Sequence, residues 1–122
     1  MKPLTIIVAA AAWFAAAPVL AHEAKGPNGG RIVDAGSYHV ELVVKAGQVD
    51  VFLTDGSDKP VAASGFKGTA ILMAGGKAQR ISLEVSDKAK LAGKSPVSLP
   101  ADVKGVVQLT TPDGKTVQGQ YK

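Results

Sequence analysis

The sequence predicts an all-β domain, because short runs of alternating apolar and polar side chains are separated by turn residues and no long helical pattern occurs. In the clearest run, one face carries Tyr38, Val40, Leu42 and Val44. A side-chain period of two is that of a half-buried strand. Turn signals recur at intervals of roughly 8–12 residues. This pattern is typical of an immunoglobulin-like β-sandwich of about seven short antiparallel strands, with a small β-barrel as the alternative.

Residues 1–21 have the features of a cleavable secretory signal peptide. Lys2 supplies the positive charge, residues 4–17 are apolar, and Ala21 ends a small-residue cleavage site. The apolar run is too short and too rich in alanine for a good membrane span. We therefore predict an exported, periplasmic protein whose mature chain begins at His22.

The mature chain divides into a glycine-rich lead-in, residues 22–36, which we expect to be flexible, and a β-sandwich domain, residues 37–122. The alternating pattern predicts three hairpins, over residues 38–54, 69–85 and 103–121. In the last of these, Asp113-Gly114 separates two alternating runs, which is a strong hairpin signal.

The segments between the hairpins have weaker patterns. Residues 61–66 and 97–99 are predicted to be short strands, and residues 86–94 a loop in which Leu91 faces inward. Six apolar side chains on the alternating faces are expected to form the core: Val40, Leu42, Val51, Leu53, Leu83 and Leu109.

The composition and the motifs do not favour catalysis or nucleic-acid binding. The chain has no cysteine, which excludes disulfides and thiolate metal sites. Its 14 Lys and Arg against 10 Asp and Glu are spread along the chain rather than clustered. No serine-nucleophile motif or phosphate-binding glycine motif occurs. We therefore predict that the protein is not an enzyme and has no nucleic-acid partner.

Histidine is the best candidate for ligand chemistry, and the chain has two, His22 and His39. Cleavage after Ala21 would give His22 a free amine, so its amine and ring nitrogens could chelate one metal ion, and His39 could supply a third nitrogen. Such a three-nitrogen set suits copper(II). Glu41 projects from the same strand face as His39, so it could add an oxygen ligand or orient the imidazole ring.

Four short motifs stand early in the mature chain: Gly26-Pro-Asn-Gly-Gly30, Tyr38-His-Val-Glu-Leu42, Val51-Phe-Leu-Thr-Asp55 and Lys59-Pro-Val61. Together they resemble a segment of the periplasmic adaptor subunits of heavy-metal RND efflux systems and of small exported proteins related to them. In those proteins the first motif reads Gly-Pro-His-Gly-Gly, so Asn28 stands where they carry a candidate ligand. The resemblance implies a role in heavy-metal efflux or resistance, with an efflux complex as a partner.

These observations favour a periplasmic protein that binds or buffers a transition metal, copper(II) in particular, through His22, His39 and Glu41. The alternative is a ligand-free structural or protein-interaction module. A carbohydrate- or lipid-binding sandwich is a weaker interpretation, because the mature chain has few aromatic side chains and no pattern of an enclosed barrel.

Overall fold

The computed structural model describes residues 24–122, which form nine β-strands and no helix, and the all-β class is thereby confirmed. The strands are β1 (Ala24–Lys25), β2 (Arg31–Ala35), β3 (Tyr38–Lys45), β4 (Gln48–Thr54), β5 (Lys67–Ala74), β6 (Lys77–Asp87), β7 (Lys90–Lys94), β8 (Gly105–Thr110) and β9 (Thr116–Tyr121). No helix long and apolar enough to cross a membrane occurs in this range.

The nine strands form one antiparallel sheet in the order β1-β2-β3-β4-β7-β6-β5-β8-β9. The long strand β6 joins its two halves, because residues 77–83 pair with β5 whereas Glu84, Val85 and Asp87 pair with β7. The register shifts between Val85 and Asp87, and such irregularities bend and twist a sheet. The sheet curls, and its two halves enclose a single apolar core.

The curled sheet closes where β2 meets β9. A side-chain carbon added to Gly119 on β9 would lie 2.6 Å from Val33 Cγ2 on β2, so this close approach requires glycine. The Tyr121 hydroxyl donates a hydrogen bond of 2.7 Å to the carbonyl oxygen of Val40 on β3. The guanidinium of Arg31 lies 5.3 Å from the centre of the Tyr121 ring. Side-chain and backbone contacts therefore join the last strand to the early ones.

The predicted core is confirmed, since all six of the apolar side chains named from the sequence are buried. Tyr38 is partly buried and packs edge-to-face against Phe66, with ring centres 5.5 Å apart. The opposite face of β3 is less exposed than its alternation suggests, because Glu41 and Val43 are buried as well. Residues 26–30, which we call the glycine loop, cover this face, and Gly30 contacts the backbone of Leu42.

The three predicted hairpins are present as β3–β4, β5–β6 and β8–β9. At the turn of the last one, the Thr111 hydroxyl donates a hydrogen bond to Asp113 and lowers the pKa of that carboxyl. Residues 24–122 form nine strands, whereas the sequence predicts about seven. Two of them, β1 and β2, lie within the glycine-rich lead-in, whose pattern did not indicate strands.

The weaker segments differ from the sequence-based prediction. Residues 90–94 form strand β7 rather than a loop, because they pair with β4 on one side and β6 on the other. Leu91 does face inward and is fully buried, as predicted. Residues 61–66 and 97–99 form no strand, so those two predictions are wrong. Val61 instead donates one backbone hydrogen bond to Leu53, and Leu99 donates one to Ala46.

We expect Leu42→Ala to lower the free energy of unfolding by about 2–5 kcal/mol, because it removes a buried side chain and leaves a cavity. Leu42 is 2% exposed. Met73→Ala on β5 is a control, since Met73 is 45% exposed and its loss should change stability by less than about 0.5 kcal/mol. Urea denaturation followed by far-UV circular dichroism measures both. Equal losses in the two variants would contradict the assignment of faces.

We expect Tyr121→Phe to lower the free energy of unfolding by about 1 kcal/mol, because it deprives the buried Val40 carbonyl of a donor. Tyr38→Phe is the matched control. Within residues 24–122 the Tyr38 hydroxyl forms no hydrogen bond, so this change should leave the free energy of unfolding nearly the same. The same denaturation experiment compares the two variants. A neutral Tyr121→Phe would show that the hydroxyl does not help to close the sheet.

Candidate functional site

A cleft of about 680 Å³ lies on the outer face of β2, β3 and β4. The glycine loop and residues 55–60 form its two walls, and its floor includes the apolar side chains of Ile32 and Phe52. This volume is within the range of roughly 300–1,000 Å³ that is usual for small-ligand sites. His39, Glu41, Asp34 and Asp58 are its acidic and imidazole side chains.

Strand pairing explains why these side chains share one face. His39 pairs with Asp34 on β2, and Glu41 pairs with Ile32 on β2 and Phe52 on β4. Directly opposite residues of antiparallel strands project to the same side of the sheet. His39 and Glu41 therefore both line the cleft, on the face that the period of β3 predicts.

The imidazole ring of His39 lies between two carboxylates. Its Nδ1 is 2.9 Å from Asp58 Oδ1, and its Nε2 is 3.2 Å from Asp34 Oδ1. The His39 side chain is 29% exposed, whereas the two aspartates are 77% and 78% exposed. The two ring nitrogens point in different directions, so the carboxylates occupy opposite sides of the ring. A neutral imidazole donates from one nitrogen and accepts at the other, so both contacts are hydrogen bonds at once only in the protonated ring.

The loop over residues 55–60 holds Asp58 against His39. The Asp55 carboxylate accepts hydrogen bonds from the backbone N–H groups of Ser57 and Lys59, at 2.8 and 3.0 Å. The Asp58 N–H donates to the Asp55 carbonyl oxygen at 3.0 Å. Asp58 itself has a φ of 62°, in the left-handed region that aspartate tolerates better than most residues. This turn is ordered by its own hydrogen bonds.

The carboxylate of Glu41 is bound by the glycine loop. Its Oε2 accepts from the backbone N–H groups of Asn28 and Gly30, at 2.9 and 2.8 Å, and its Oε1 accepts from the Asn28 side-chain amide at 2.9 Å. The loop is closed by a hydrogen bond of 2.9 Å from the Gly26 N–H to the Gly30 carbonyl oxygen. Glu41 thus accepts its hydrogen bonds from the glycine loop and none from His39.

Of the residues that line the cleft, the sequence pattern pointed to His39 and Glu41 but not to Asp34 or Asp58, and it did not indicate that Asn28 binds Glu41. Asp34 lies in strand β2, which the pattern did not predict, and Asp58 lies in a turn that is 19 residues from its partner His39. One signal was present for Asp34: Ile32 and Asp34 alternate with Val33 and Ala35 immediately before the Gly36-Ser37 turn, as in the first strand of a hairpin.

His22, the remaining predicted ligand, lies outside the described residues. Within residues 24–122, no group of three or more His, Cys, Asp or Glu side chains has an arrangement that could hold a metal ion. The metal-binding roles of His22, His39 and Glu41 therefore stay predictions.

Comparison of the chain with protein-family models, with curated proteins and with solved structures finds no match. The resemblance to RND adaptor subunits stays a prediction that depends on the short motifs themselves.

We expect Gly30→Ala to disturb the glycine loop and to lower the free energy of unfolding by about 1–3 kcal/mol, as overpacking does. The added carbon would lie 2.7 Å from Val43 Cγ2 and would overlap the Leu42 carbonyl oxygen. Gly56→Ala, in the opposite wall of the cleft, is the control, because its nearest neighbour would be Ser37 O at 3.9 Å. Thermal unfolding and the NMR signal of the Asn28 side-chain amide would report both effects. An unchanged Asn28 signal in Gly30→Ala would contradict the observed packing of the loop.

Proposed function

We propose that the protein is a periplasmic, non-enzymatic binder or buffer of a transition metal, copper(II) in particular, and that it assists heavy-metal efflux or resistance. The observation that carries this proposal is the partly exposed imidazole of His39 beside the carboxylate of Asp34 at one end of the cleft. Imidazole nitrogen and carboxylate oxygen are both ligands for divalent transition metals. The Nε2 of His39 and the carboxylate of Asp34 are the groups that would hold the metal ion at this end of the cleft.

His22 lies outside the described residues, and it stays the proposed source of the remaining nitrogen ligands, through its free amine and its imidazole ring.

Asp34 and Glu41 have different roles in this proposal. Asp34 is a candidate oxygen ligand, because its carboxylate is exposed and already lies 3.2 Å from His39 Nε2. The oxygens of Glu41 are bound by three N–H donors of the glycine loop, so its contribution is to hold the wall of the cleft.

The immunoglobulin-like sandwich stays a proposal for the way in which the two halves of the curled sheet face each other.

The alternative function is a ligand-free structural or protein-interaction module. The contacts of His39 with both Asp34 and Asp58 favour it, because the imidazole then serves to tie β2 to the loop over residues 55–60. The two functions differ in what copper(II) does to the protein that begins at His22.

We expect the protein beginning at His22 to bind one copper(II) ion, and both His39→Ala and a single glycine added before His22 to weaken binding at least about tenfold, as losing a ligand should do. Affinity should also fall as the pH falls, because imidazole and amine must lose a proton to bind metal. Isothermal titration at neutral pH measures all three proteins. Equal binding by the three would exclude the histidine site and leave the ligand-free module.

The two aspartates beside His39 provide a matched comparison within the same titration. Asp34→Asn and Asp58→Asn remove similarly exposed carboxylates that contact opposite nitrogens of one ring. We expect Asp34→Asn to weaken copper(II) binding more than Asp58→Asn, because the proposal makes Asp34 the oxygen ligand beside His39 Nε2 and gives Asp58 only the contact with Nδ1. A larger effect of Asp58→Asn would move the site to the other side of the ring.

A further inference from the structure

Asn28 is followed directly by Gly29, and both residues are exposed at the tip of the glycine loop. Asn28 is also the only asparagine of the chain. An asparagine before glycine is prone to spontaneous deamidation, because glycine has no side chain to hinder attack by its own backbone nitrogen. A side-chain carbon at Gly29 would meet nothing within 4 Å, so this side of the turn is open to water. The proposed metal chemistry makes no use of this pair.

Deamidation of this pair would begin at the Gly29 N–H. The nitrogen loses its proton and bonds to Asn28 Cγ, the bond from Cγ to Nδ2 breaks, and Nδ2 leaves as ammonia with that proton. Water then opens the cyclic imide. Addition of water at the former side-chain carbonyl gives an aspartate, whereas addition at the main-chain carbonyl gives an isoaspartate, in which the backbone runs through the side chain. The reaction consumes water, releases ammonia and changes no oxidation state.

The closed glycine loop opposes this chemistry at each reacting group. Asn28 Nδ2, the leaving group, donates a hydrogen bond of 2.9 Å to Glu41 Oε1. The Gly29 N–H, whose proton must be lost, donates to Gly26 O at 3.1 Å. The N–H groups of Asn28 and Gly30 on either side of it donate to Glu41 Oε2, and this nearby negative charge makes loss of the Gly29 proton more costly. Reaction therefore requires the loop to open locally.

The products do not fit the closed loop. An aspartate in place of Asn28 would put a second carboxylate against Glu41 Oε1, where the amide now donates. Glu41 is 4% exposed, so it would lose a donor and gain a like charge in a site with little water. An isoaspartate would lengthen the backbone between the N–H groups of residues 28 and 30, which now share one oxygen of Glu41. Both products therefore favour an open loop.

From these contacts we propose that Asn28-Gly29 is a site of spontaneous deamidation, which Glu41 protects while the glycine loop is closed and which keeps the loop open once it has reacted. Because this loop is one wall of the cleft, the modification changes the cleft irreversibly. The proposal does not depend on metal binding.

The test follows the intact mass of the purified protein during incubation in mildly alkaline buffer, with peptide mapping to separate aspartate from isoaspartate. Glu41→Gln weakens the protecting contacts. Gly26→Ala is a second such variant, which keeps the carboxylate but displaces it, because the added carbon would overlap the Glu41 carboxyl carbon. Leu109→Ala is the control for global stability, because Leu109 is fully buried on β8, away from the loop. Asn28→Ser gives the background from the glutamines, and the parent in concentrated urea gives the unprotected rate.

We expect Glu41→Gln, Gly26→Ala and the urea-unfolded parent to deamidate at least about tenfold faster than the folded parent, and Leu109→Ala at the parental rate, because the reaction needs only local opening. A folded parent that reacts as fast as the unfolded chain would overturn the protection by Glu41. Equal acceleration by Leu109→Ala and Glu41→Gln would show that global unfolding is required and would overturn the role of the loop.

Asn28→Asp reproduces one product directly, so it tests the effect of the modification even if Glu41→Gln fails to fold. We expect the Gly26 amide, which closes the loop by donating to Gly30 O, to exchange hydrogen at least about tenfold faster in Asn28→Asp than in the parent. Asn28→Ser is the matched comparison, because it removes the same amide donor without adding a charge, and its exchange should be accelerated less. Parental exchange in Asn28→Asp would overturn the claim that the product keeps the loop open.

Discussion

Burial of the Glu41 carboxylate is the constraint on which the candidate site depends. An ionised group removed from water must be surrounded by donors, and here the glycine loop supplies three of them. The loop in turn forms one wall of the cleft and begins the pairing of β1 with β2. Glu41, a polar side chain on the outer face of β3, thus orders the glycine loop, which precedes it in the chain. The apolar core lies on the other face of the strand.

His39 gathers contacts from two other parts of the chain. Asp34 reaches it from the neighbouring strand, and Asp58 reaches it from a turn that is held by Asp55. The hydrogen bonds that order this turn do not involve His39. The position of Asp58 is therefore set by the turn, and the His39 ring binds to it there. The proposed metal site would use this imidazole while the hydrogen bonds of the turn stay in place.

Local sequence patterns predicted the elements whose evidence is local. The alternation of β3 and β4 and the Asp113-Gly114 turn are contained within single hairpins, and they were predicted correctly. Strand β7 was not, because its formation depends on Leu91 pairing with Val51 on β4 and Val85 on β6. Gly93, which reads as a strand breaker, is required there because an added carbon would lie 2.8 Å from Ile81 Cγ2.

The residues of the candidate site show the same difference between local and long-range evidence. The shared face of His39 and Glu41 follows from their spacing on one strand, whereas Asp58 and Asn28 reach the cleft through pairings that the sequence does not display. Asn28 is instructive, because its place in the glycine motif suggested a missing metal ligand. The structure gives it a different task, as a donor to Glu41 through both its backbone and its side chain.

Closure of the curled sheet has a consequence for the order in which the chain folds. The Tyr121 hydroxyl and the Val40 carbonyl are 81 residues apart in sequence, and contacts of such long range form slowly because a long loop must be closed first. The hairpin of β3 and β4 can form as soon as its own residues meet, but the apolar core stays open to water until β9 arrives against β2. We therefore expect closure of the sheet by β9 to be a late step of folding, after the hairpins have formed.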